Sequence, residues 1–163
     1  MASKEYKPEI TEEKLGFNPF VAALKIPVHT AISKGLYHAE DGILEPQEIE
    51  YDSTPSAKIY ISSERRKITA GLSYRPLQLW HWVLQTIEAG HDYIWINRAR
   101  AMDECRMKSV RTFADAIKEL CRYGFLSPCV NIKGVYFINP EMGFRGSRVK
   151  KYPENLVYKN KES

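Results

Sequence analysis

From Ser73 onward the apolar positions of this chain fall into a readable order. Leu77, Leu79, Trp80, Val83, Leu84 and Ile87 share one broad helical face, with Ser73 placed to cap it, Pro76 in its first turn and Gly90 as its stop. Tyr93-Ile-Trp-Ile is a short β-rich run. Asn97 then caps a brief helix from Arg98 to about Cys105, and Arg106-Met-Lys108 makes a tight connection. Ser109 caps a helix reaching Tyr123, in which Val110, Phe113, Ala114, Ile117, Leu120 and Cys121 repeat at helical spacing, and Gly124 ends it. Phe125–Val130 and Val135–Ile138 are β-prone, with turn chemistry and a basic tip at Asn131-Ile-Lys-Gly134. Helix, short strand, short helix, tight turn, capped helix and hairpin is the order of a winged helix-turn-helix.

Earlier in the chain the pattern is weaker. Residues 1–16 are polar and charged and read as a flexible arm. A β-like run is expected at Pro19–Leu24, extended by Ile26-Pro27-Val28, with Pro27 confined to a sheet edge or strand end. Lys34–Pro55 shows no lasting period and reads as loop, with a short strand at Gln47–Tyr51. Lys58–Ser62 reads as a strand, and Ser63–Leu72 as a helix in preference to a hairpin turning at Glu64–Arg66. The expected organisation is therefore α+β: an arm (1–16), a β-rich extension (17–72), a winged-helix domain (73–148) and a basic tail (149–163).

Charge sharpens this division. The net charge of +4 says little, but residues 1–72 carry 9 basic and 11 acidic side chains, whereas residues 73–163 carry 15 and 9. Affinity for a polyanion is thus expected in the second part. Cys105, Cys121 and Cys129 lack metal or redox spacing and read as free thiols; His29, His38, His81 and His91 are too scattered to hold a metal. No apolar run is long enough to span a membrane, and Met1–Lys7 lacks the apolar core of a signal peptide, so a bacterial cytoplasm is the expected location.

The helix at 109–123 can serve two purposes. Its polar face carries Arg111, Thr112, Asp115, Lys118, Glu119 and Arg122. That is the composition of an ordinary solvated helix, and also of a helix that enters a major groove. The preceding short helix and the following hairpin favour the second purpose. Base readout falls to the first turns: Ser109, Arg111, Thr112 and Asp115. Arginine can bond guanine O6 and N7 together; Asp115 can accept from a cytosine amino group or orient Arg111. Backbone contacts fall to Arg98, Arg100, Arg106, Lys108, Lys118, Lys133, Arg145 and Arg148. Trp80 and Trp95 read as core, and Trp82 as the edge of a contact surface.

Two stretches carry a family resemblance. Ser109-Val-Arg-Thr-Phe-Ala-Asp-Ala-Ile-Lys-Glu-Leu-Cys-Arg-Tyr-Gly-Phe-Leu precedes Val135-Tyr-Phe-Ile-Asn-Pro-Glu-Met-Gly-Phe-Arg-Gly-Ser-Arg148. Together they resemble plasmid replication initiation proteins of the RepL type and their phage relatives. The most specific part is Ile138-Asn139-Pro140 through Phe144–Arg148. The resemblance implies sequence-specific binding of double-stranded DNA, at a replication origin or at promoters. It covers about 75 residues and carries nothing over to the first 60.

Two other function classes compete. A winged helix can dock a replication, transcription or virion protein without touching DNA, and a second copy of the chain is a further expected partner. An enzyme is the weakest reading, because Walker A, H-E-x-x-H and G-x-S-x-G patterns are missing. Neither cofactor nor metal is expected.

Overall fold

The computed structural model describes residues 6–38, 44–52 and 63–158, and the chain divides into two compact units. The first joins residues 1–24 to 55–146, and the second joins 25–54 to 147–163. Among the described residues each contains one three-stranded sheet, so the fold class is α+β, as expected.

In the first unit, helices α2 (Ser63–Ala70) and α3 (Tyr74–Thr86) lead into strand β3 (Tyr93–Trp95). Helices α4 (Arg98–Glu104) and α5 (Val110–Arg122) come next, then strands β4 (Leu126–Pro128) and β5 (Val135–Ile138). α2 settles the choice between helix and hairpin at 63–72 in favour of the helix. The sheet order is β3-β5-β4, antiparallel throughout, so the last strand lies in the middle.

α3 packs along α5 over a core of Leu79, Trp80, Val83 and Leu120. The Trp80 ring meets Phe125 edge-on at 5.1 Å. That T-shaped arrangement suits two quadrupoles buried together. α5 buries Phe113, Ala116, Ile117 and Leu120, while Val110 is exposed. The buried stripe is therefore rotated from the one expected: Ala116 joins it, and the first-turn Val110 stands in solvent. α3 ends at Thr86, before the expected stop. Gly90 takes φ +80 four residues later, and its N–H donates to the Arg145 carbonyl at 2.6 Å.

The sheet of this unit is covered on both faces, which explains the unbroken apolar run at 135–138. On one face Val135, Phe137, Cys129 and Ile132 cluster with Tyr93 and Trp95, and Ile10 and Leu15 pack against them. On the other, Ile94, Leu126 and Ile138 are buried. The leading segment is thus docked over residues 6–24. Helix α1 (Glu12–Leu15) is capped by Thr11, and the Cys129 thiol points at the Leu15 carbonyl at 3.4 Å. Buried Asn18 ties it down by donating to Asp92 Oδ2 and to the Ile138 carbonyl, both at 3.0 Å. The β-like run expected at Pro19–Leu24 instead holds a 3-10 turn at Val21–Ala23. The Asn18 side chain starts that turn by accepting from Phe20 N. A local side-chain bond of this kind competes directly with strand formation.

In the second unit, strand β1 (Ile26–His38) pairs antiparallel with β2 (Leu44–Asp52) and parallel with β6 (Leu156–Tyr158). The loop expected at 34–55 is therefore largely strand, and the run at Gln47–Tyr51 belongs to β2. Pairing with a neighbour supplied the order that local periodicity lacked. The prolines obey the ladder: Pro46 lies on the edge strand, and Pro27 lies before the first β1–β2 pair. The expected strand at Lys58–Ser62 lies outside the described residues. Residues 149–158, read as the start of a tail, complete helix α6 (Arg148–Lys151) and form a 3-10 turn at Pro153–Asn155 and β6. Buried Tyr152 and Arg148 anchor them.

Candidate nucleic-acid interface

The region 97–134 of the first unit follows from local chemistry. Asn97 accepts from Arg100 N at 2.9 Å, starting α4. α4 stops at Cys105 because Arg106 turns left-handed at φ +54, a conformation a non-glycine residue adopts at some cost. Ser109 then restarts the chain as a helix by accepting from Thr112 N at 3.1 Å. Ser109 and Thr112 hydroxyls also bond each other at 2.8 Å, so the two polar groups of the first turn are mutually oriented.

Of the residues expected to read bases, Ser109, Arg111 and Asp115 are exposed and Thr112 is half-buried. The Arg111 side chain is 92% exposed and that of Asp115 64%, with Nε to Oδ2 at 3.9 Å. At that separation in water the pair orients Arg111 loosely and contributes little to stability.

The cations expected on the flanks behave differently from one another. Arg98, Arg106, Lys108, Lys118 and Lys133 are exposed. Arg100 is exposed too, but its Nε donates to Glu104 at 2.8 Å. Arg145 is half-buried and spends a guanidinium N–H on the Ile87 carbonyl at 3.0 Å. Arg148 must be withdrawn as a backbone contact. It lies in the second unit, its side chain is 0% exposed, and its Nε bonds Asp52 Oδ2 at 2.6 Å.

Two further residues serve the fold. Glu119, expected on the free face of α5, accepts from both the N–H and the hydroxyl of Ser73, at 2.9 and 3.0 Å. A carboxylate at the N-terminus of α3 complements the helix dipole and replaces the expected Ser73 side-chain cap. Trp82, expected at a contact surface, is buried, and its Nε1 donates to Glu104 at 2.5 Å. Hydrogen bonds from Arg100 first and Trp82 second hold the Glu104 carboxyl below the usual carboxylate range. A lowered folded value contributes stability above the unfolded value, and that contribution fades as pH falls through the lowered one. Glu104→Gln should therefore melt below the wild type at pH 7, and the gap should close well below pH ~4. Thermal scans at the two pH values check this; an equal gap at both would contradict it.

The start of α4, the first half of α5 and the hairpin meet at a groove of about 520 Å³. Arg98, Phe113, Lys133 and Tyr136 line it, joined by Trp95 and by Tyr6 from the leading segment. Trp95, expected as core, is half-buried and contributes to both cluster and groove. Burial raises the pKa of Tyr136, with the Cys121 sulfur adding to it, so its hydroxyl stays a donor. Burial also raises Cys105 and Cys121, which keeps both thiols protonated. The sequence reading missed this groove. The signal available was alternation: in a period-2 strand Tyr136 stands on the face opposite Val135 and Phe137.

The stretch 139–146 is structural in this unit. The Asn139 side chain donates to the Gly124 carbonyl at 2.8 Å and accepts from Glu141 N at 3.0 Å, joining the end of β5 to the end of α5. Pro140, Met142 and Phe144 are buried. A Cβ on Gly146, at φ +121, would come within 3.0 Å of Gly90 N.

Among the described residues no helix is long and apolar enough to cross a membrane, and no group of three or more His, Cys, Asp or Glu could hold a metal ion. No curated protein and no solved structure matches the chain. The family model described as Firmicute plasmid replication protein (RepL) matches residues 48–163, which include the capped helix and the Asn-Pro stretch, and on that match the chain belongs to the RepL family.

Proposed function

We propose that residues 74–138 form a winged helix-turn-helix and that the protein acts by sequence-specific binding of double-stranded DNA, as a replication initiator or a regulator of a plasmid or phage. The observation that carries this reading is the exposed start of α5, with Arg111 outermost, beside a groove rimmed by Arg98 and Lys133. An α-helix fits the major groove, and cations to either side of it can meet phosphates. The strand order, with the hairpin following α5, agrees with a wing. Membership in a plasmid replication family agrees with an origin as the target. The bacterial cytoplasm is the compartment this role requires. The reading assigns no catalytic step, cofactor or metal.

Selection of bound duplexes from a random pool tests it and reports half-site symmetry, and with it whether a second copy binds. Arg111→Ala should relax preference at one base pair, by about 1–3 kcal/mol, leaving affinity for other sites nearly unchanged. Absence of any duplex binding at low salt would sink the reading, and a stable complex with a replication protein would then favour the docking alternative.

A further inference from the structure

We propose that Val110 reads the C5-methyl group of a thymine in the major groove. The inference rests on the DNA reading above and deepens it by one base identity. Val110 is the first residue of α5, and the apolar spacing of that helix places it with the core. It is nevertheless 51% exposed, whereas Phe113, one turn later, is buried. The buried stripe of α5 is complete without it, in Phe113, Ala116, Ile117 and Leu120. A branched apolar side chain thus stays in water at the end of the helix proposed to enter DNA. Taking it out of water is a gain left over for a partner.

The neighbours of Val110 select that partner. Lys108, Ser109 and Arg111 stand exposed around it, so it is a single apolar spot in a basic, polar setting. A protein partner would need a broader apolar surface, and the charge favours a polyanion. Ser109 Oγ accepts from Thr112 N at 3.1 Å, and the two hydroxyls bond each other at 2.8 Å. Both hydroxyls therefore have partners before DNA arrives. What the first turn adds for a duplex is one guanidinium, Arg111, and one apolar surface, Val110. On the floor of the major groove the thymine methyl is the matching apolar group; the remaining edges are hydrogen-bond donors and acceptors. Covering one of those with Val110 would take its water away and give no bond in return. Covering the methyl costs no bond and buries two apolar groups together. Consecutive residues of a helix advance only about 1.5 Å along its axis, so the thymine should lie within about two base pairs of the one read by Arg111.

The test uses the full chain and a duplex carrying the selected site, in which each thymine in turn is replaced by deoxyuridine. Deoxyuridine lacks only the methyl and pairs as thymine does. One such replacement should weaken wild-type binding by about fourfold, the worth of one buried methyl group. Val110→Ala should bind the thymine duplex more weakly than the wild type does, and should bind the thymine and deoxyuridine duplexes about equally. The thymine-to-deoxyuridine ratio is taken within one protein, so any loss of folded variant cancels from it. A selected site at which no deoxyuridine replacement matters overturns the proposal. So does a ratio that Val110→Ala leaves unchanged, because another side chain would then meet the methyl. Both outcomes leave the DNA reading standing. Absence of duplex binding by the wild type removes the proposal and the DNA reading together.

Discussion

Replacing Arg148 with methionine should destabilise the second unit by about 3–5 kcal/mol. The guanidinium is fully enclosed, and its partner Asp52 is only 18% exposed. Taking both ions out of water costs each its hydration, and the 2.6 Å contact offsets that cost only while both are present. Methionine fills the volume but leaves a largely buried carboxylate with its main cation gone. The pair also links α6 to the end of β2, far apart in sequence, so its loss should free β6 from β1. Hydrogen exchange should therefore rise at 26–28 and 156–158, where the two strands pair. All three tryptophans lie in the first unit, so their fluorescence should report a smaller change than the exchange does. Adding Asp52→Asn should recover much of the loss, since a neutral amide costs less to bury alone than a carboxylate. A melting curve unchanged within about 0.5 kcal/mol would show that Arg148 is a surface residue after all.

The sequence reading placed Arg148 beside DNA because a basic residue just after a hairpin is usually solvated. Nothing local could reveal otherwise, since its partner is 96 residues away. The same physics separates what was legible in the fold from what was not. Helices α3, α4 and α5 and the hairpin were readable because caps, turns and apolar faces act within one or two turns of chain. Ser109, Asn97 and Gly124 do what their chemistry prescribes. The sheet of the second unit was not readable. β1 needs partners from two distant segments, one antiparallel and one parallel, and such pairing leaves little periodic trace. The docking of the leading segment is hidden from local pattern for a related reason. Its few apolar residues, Ile10 and Leu15, look insufficient alone but complete a cluster supplied by strands more than 75 residues away.

For the candidate site the division runs between groups that stay in water and groups drawn into tertiary bonds. Arg111, Asp115, Lys108 and Lys133 lie where helix and turn geometry put them, in solvent. Glu119, Trp82 and Arg145 share the same kinds of position in the pattern, yet bond Ser73, Glu104 and Ile87 respectively. The part of the chain with the most specific family resemblance, 138–148, turns out to supply folding contacts in both units. There Asn139 fixes the end of the hairpin against the end of α5, so that these two elements keep their relation.

Exposed charge makes the second large prediction, on affinity. Each phosphate neutralised by a lysine or arginine releases condensed counterions, giving a slope of about −0.9 in log affinity against log salt. If Arg98, Arg100, Arg106, Lys108, Lys118 and Lys133 all reach phosphates, the slope should be about −5. Raising salt from about 50 to about 200 mM should then weaken duplex binding by about a thousandfold. Arg100 must exchange Glu104 for a phosphate to count in that set, which an exposed ion pair does at little cost. Lys133→Ala should lower affinity on all sequences and reduce the slope by about 1. Arg111→Ala should instead change sequence preference, because its role is to read a base. Arg148→Met should leave the slope untouched, since an enclosed guanidinium cannot release a counterion from DNA. Filter binding across a salt series with these three variants separates the roles. A wild-type slope near zero would mean that the exposed cations of α4, α5 and the hairpin meet something other than a polyanion.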